Sequence, residues 1–130
     1  MKKQLSSLDL HLLLKELLVL KDSRIDKIYQ PDKDIIIFSL YKTNVGKRIL
    51  KINIGQSLFL LDEKEQYDEI LGFGMLLRKH LDGYFLYDIA QIEPERIIKL
   101  SFKVKDDKKH LYLEFFGKGN AILCNEHNVI

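Results

Sequence analysis

Residues 98–104 alternate without interruption: Ile98, Leu100, Phe102 and Val104 against Lys99, Ser101 and Lys103. Successive side chains of a strand point to opposite faces, so this run reads as a strand with one apolar and one basic face. The same period recurs along most of the chain. Ile36, Phe38 and Leu40 share a face in 34–42, and Leu50, Ile52 and Ile54 do so in 48–54. Shorter runs at 24–30, 58–61, 84–92, 111–115 and 121–124 are rich in β-branched and aromatic residues. Pro31-Asp32, Thr43 to Gly46, Gly55-Gln56, Asp106 to Lys109 and Gly117-Lys-Gly119 punctuate them as turns or breaks. Asp62 to Glu69 reads as an acidic loop. No internal repeat is visible.

Two segments carry a helical period instead. Leu10, Leu13, Leu14, Leu17 and Leu20 fall on one side of a helix that Ser6-Ser7 can cap, with Asp9 in its first turn. Leu8, Leu12 and Val19 form a second stripe, which predicts cover on both sides. The second helix is expected from about Ile70 to Asp82, with Ile70, Phe73, Leu77 and Leu81 inward and Gly83 just past its end. Gly72 and Gly74 each cost such a helix about 1 kcal/mol relative to alanine, so close packing should compensate. About seven strands to two helices predict an α+β fold: a two-layer antiparallel β structure with an N-terminal helix and a second, inserted helix.

At 130 residues and 46% hydrophobic, the chain suits a single domain, 1–130, with a core that needs no staple. The formal charge of +2 excludes a strongly basic whole-domain footprint, so nucleic-acid contact would rest on local clusters. The Leu8–Leu20 stretch is too short and too interrupted to span a bilayer, and no cleavable leader is apparent, which predicts a cytoplasmic protein. Cys124 is the lone cysteine and reads as core; the four histidines lack metal-ligand spacing, so neither metal nor cofactor is expected. No Ser-His-Asp or paired-carboxylate arrangement has a supporting context, and Gly117-Lys-Gly-Asn120 is not a P-loop. The apolar end at Val129-Ile130 predicts a fragment of a larger protein.

The stretch Met75-Leu-Leu-Arg-Lys-His-Leu81 resembles a signature of the NFACT family, the ribosome-associated quality-control factors also described as fibronectin-binding-protein-A-like, of archaeal or bacterial type. Ser6-Ser-Leu-Asp9, Arg24 to Pro31, Glu95-Arg-Ile97 and Gly117 to Leu123 resemble the amino-terminal domain of that family in the same order. The resemblance implies a non-enzymatic module that binds stalled large ribosomal subunits carrying a nascent chain. It implies help in recruiting tRNA for untemplated C-terminal tailing, in concert with the remaining domains of the parent protein and no membrane. It also implies a fold similar to the amino-terminal domain of formamidopyrimidine-DNA glycosylases, without the terminal proline amine their chemistry needs, since the chain begins Met1-Lys2-Lys3.

By the same resemblance Asp9, Glu95 and Arg96 are the tRNA-binding residues. Glu95 stands where the family usually has aspartate, so its carboxylate reaches one methylene further. A carboxylate can accept from cytosine N4 or a ribose hydroxyl, and a guanidinium can bridge phosphates or stack on an unpaired base. The plain alternatives are a first-turn dipole residue for Asp9 and a surface ion pair for Glu95-Arg96. Arg78 and Lys79 suit either the negative end of the second helix or RNA phosphate. Lys99, Lys103 and Lys105 form a solvated strand face or an RNA contact. Two competing functions are a DNA-repair glycosylase-like nucleic-acid binding domain and an adhesive or structural domain.

Overall fold

A computed structural model describes residues 7–61, 71–92, 95–127 and 129–130. The expected cap at Ser6, the acidic loop 62–69, the helix start at Ile70 and Pro94 lie outside the described residues. The order is α1 (Ser7–Leu17, then a 3-10 turn Leu18–Leu20), β1 (Ser23–Asp32), β2 (Ile35–Lys42), β3 (Gly46–Asn53) and β4 (Ser57–Leu61). Then follow α2 (Gly72–Leu81), β5 (Phe85–Ile92), β6 (Ile97–Val104), β7 (Asp107–Glu114) and β8 (Asn120–Asn125). The eight strands form one antiparallel sheet in the order β4-β3-β2-β1-β5-β6-β7-β8. The fold is α+β, as expected.

This order is a plan used twice: a helix, then a four-stranded meander. The meanders join only where Ser23 faces Leu86 and Arg24 faces Phe85. Each has a register shift at the matching place, between Ile25 and Lys27 and between Leu86 and Asp88. Counted from these shifts, Ile28 opposite Phe38 matches Ile89 opposite Leu100, and Leu50 matches Leu111. All six are buried in one cluster. The architecture therefore repeats although the sequence does not: hydrophobicity of the inner rows is kept, identity is not.

The sheet doubles over on this core. Phe38 on β2 and Phe102 on β6 stack with centroids 5.7 Å apart, although β1 and β5 lie between their strands in the sheet. The two expected layers are thus two halves of one sheet. At the rim, the β3–β4 turn meets the β7–β8 turn. Gly55 and Gly119 have φ of +81° and +80°, and a Cβ on Gly119 would lie 2.3 Å from the Gly55 Cα. Only glycine supplies both that backbone and that approach.

The helices pack across the join, α2 on β1 and α1 on β5. Leu17, Leu20, Leu77 and Leu81 are fully buried. The first turn of α2 has no side-chain cap of its own. Gln30 at the end of β1 supplies one: its carbonyl accepts from Leu71 N at 3.1 Å and its Oε1 from Gly74 N at 2.7 Å. Gly74 is buried in this turn; a Cβ at Gly72 would meet open space, so the close packing expected there is not found.

Four further expectations are corrected. Pro31 and Asp32 lie inside β1, because the register shift between Tyr29 and Asp32 removes the need for a ladder donor at proline. Lys108 and Lys109 belong to β7; the turn is Lys105-Asp106, closed by a Lys105 φ of +54°. Cys124 is half-buried opposite His110, on the outer face rather than in the core. The second stripe of α1 is open, with Leu8 66% and Leu12 54% exposed. Among the described residues no helix is long and apolar enough to cross a membrane.

Candidate nucleic-acid interface

Asp9 is exposed in the first turn of α1. That helix packs on β5, and β5 leads at its far end into the turn bearing Glu95 and Arg96. Glu95 is exposed and Arg96 half-buried. The backbone of this turn is held from two sides. Gln91 Nε2 donates to the Glu95 carbonyl at 3.5 Å, and Phe115 N donates to the Arg96 carbonyl at 2.7 Å. The acid and the guanidinium thus sit on an anchored turn, which would limit the entropy lost on gripping a ligand.

The basic pair on α2 divides. Arg78 turns toward β1, where its Nε donates to the Ile28 carbonyl at 2.6 Å and its guanidinium carbon lies 5.3 Å from the Tyr29 ring centre. β1 leaves β5 after Arg24, so this carbonyl lies on an edge without a strand neighbour, and the guanidinium supplies the missing donor. Arg78 also borders a cleft of about 320 Å³ with Asp26, Lys27, Tyr29 and Asp82. Lys79 is exposed and points away from the buried side.

A second concentration of charge, only partly foreseen, lies on the second meander. Lys99 sits 5.8 Å from the Tyr112 ring centre, and Lys103 and Lys108 lie 5.0 and 5.8 Å from that of Tyr87. The alternation 98–104 put Lys99 and Lys103 on one face, but their aromatic neighbours come from other strands, which no single run discloses. At the edge of this region the Tyr84 hydroxyl donates to Asp107 Oδ2, and Lys109 Nζ lies 2.5 Å from both oxygens. The Lys109 hydrogen bond, then the tyrosine, hold the Asp107 carboxyl below its ordinary value. The Lys109 ammonium rises above its own, because burial, which acts against it, is outweighed by its bonds to Asp107 and Tyr84.

Residues 6–130 match the family model described as NFACT N-terminal and middle domains. The archaeal Rqc2 homolog aRqcH of Methanocaldococcus jannaschii is 30% identical over all of this chain and 20% of its own length. Ribosome quality control complex subunit 2 of Saccharomyces cerevisiae is 32% identical over all of this chain and 13% of its own. The chain therefore spans a fifth or less of these relatives. The crystal structure of the N-terminal domain of fibronectin-binding protein PavA from Streptococcus pneumoniae superposes with a TM-score of 0.83 at 25% identity, covering 93% of this chain and 49% of that one.

Proposed function

The chain belongs to the NFACT family, and from that premise we propose that it is a non-catalytic module of cytoplasmic ribosome-associated quality control. In this reading it helps a larger protein hold stalled large ribosomal subunits carrying a nascent chain, and recruits tRNA for untemplated tailing. Asp9, Glu95 and Arg96 grip the tRNA: the guanidinium meets phosphate or an unpaired base, and the carboxylates orient it or accept from base and ribose donors. The scaffold belongs with glycosylase-like nucleic-acid binding folds but performs no base chemistry.

The observation that carries the reading is the packing of α1 along β5, the strand that ends at the Glu95-Arg96 turn. The repeated plan supports it further. Gln30 at the end of β1 receives the first turn of α2, and Gln91 is the matching position of β5, bonded to Glu95. By the same logic the first turn of α1, with Asp9, would lie toward that turn.

Arg96→Ala in the parent protein should abolish tRNA recruitment to stalled large subunits while subunit binding persists, as read by co-sedimentation. Unchanged recruitment would remove Arg96 from the interface.

A further inference from the structure

The outer face of the second meander combines three features that together point to a ligand. Cross-strand partners share a face of a sheet, so Phe85, Lys103 and Lys108 form one row and Lys99 and Tyr112 another. Tyr87 joins the first row beneath Lys103 and Lys108. Phe85 is 42% exposed, an aromatic face kept in water on a surface of lysines. Two of the acids near this face leave its cations uncancelled, while Glu126 acts on His110 against Lys99 and Lys108. Asp88 lies 4.0 Å from Lys21, and Glu114 stands at the far end of β7, opposite Ile97. The His110 imidazole, between the two rows, is held below its ordinary value by burial and then by Lys99.

We propose that this face is a platform for single-stranded RNA, with unpaired bases stacking on Phe85 and Tyr112 and phosphates held by Lys99, Lys103 and Lys108. An apolar protein partner would find no continuous apolar patch among the lysines, and a duplex would offer no base face to the aromatic rings. A single strand offers both of the groups this face can use: π-faces and closely spaced negative charge. The lysines now lying over Tyr87 and Tyr112 have only to swing outward to meet phosphate. The platform uses none of Asp9, Glu95 and Arg96 and does not depend on that reading. Lys103 and Lys108 flank the β6–β7 turn, roughly 25 Å from Arg96 along the eight-residue strand, while Lys99 and its partner Tyr112 form the nearer row, roughly 10 Å from Arg96.

The test is fluorescence anisotropy of the chain with a short labelled single-stranded RNA, competed by duplex RNA of the same sequence. Phe85→Ala with Tyr112→Ala should weaken binding at least about tenfold. Lys99→Gln, Lys103→Gln and Lys108→Gln together should lower the slope of log affinity against log salt by about 2. Arg96→Ala should leave this binding unchanged, which separates failure of the platform from failure of the tRNA reading. Circular dichroism confirms that each variant folds. Undiminished affinity in the aromatic double variant, or duplex competing as well as single strand, would overturn the proposal.

Discussion

The two meanders share a topology, a bulge position and an inner surface, yet their outer faces are opposites. Where the first has Ile37 and Ile49, both fully buried, the second has Lys99 and His110, both half-exposed. Around the isoleucines, Tyr29, Ile35 and Leu61 complete a second apolar cluster behind the sheet. The inner rows must fit each other and so stay alike in character. The outer rows have no such mutual constraint; one became a second core and the other a charged surface. Duplicated architecture thus leaves one face free for binding while the other half supplies stability.

Trading residues between the matched positions breaks this contrast most directly. Ile37→Ala should cost about 2–5 kcal/mol, because it empties a buried site. Lys99→Ala should change stability by less than about 0.5 kcal/mol. Urea denaturation reads both, and equal costs would mean that the two outer faces are not different in kind. The rim contact comes next. Gly119→Ala forces a Cβ onto the Gly55 backbone and should cost about 1–3 kcal/mol, lowering Tm in one cooperative transition because the contact joins both halves. Two separated transitions would show the halves to be independent.

The smallest effect concerns Asp107, whose ion pair with Lys109 closes the end of the second meander beside Tyr84. Its carboxyl lies below the ordinary 3.8 when folded, so its contribution is present above that value and disappears as pH falls through the folded one. Asp107→Asn should therefore flatten the decline of Tm below about pH 4 and leave its shape near neutrality unchanged. An identical acid profile would remove the Lys109–Tyr84 cluster from the account.

Much of the scaffold could be read from alternation alone. The inward sets on β2, β3 and β6 follow from period two, and Leu77, Leu81 and Gly83 from the helical period. Relations between distant segments could not. Nothing local says that Gln30 caps a helix more than forty residues later, since its bond to Gly74 spans a separation of 44. Nor does Arg78 disclose that it will turn to a strand edge, because that edge exists only where β1 parts from β5. Asp9, Glu95 and Arg96 are candidates through resemblance alone, because an exposed acid or arginine leaves no periodic trace.

The short seam of Ser23, Arg24, Phe85 and Leu86 has one more consequence. Each half turns the same kind of greasy surface toward its counterpart and leaves a similar strand end to be paired. Produced separately, either half should seek a copy of itself, forming a twofold-symmetric pair in which like takes the place of its diverged twin.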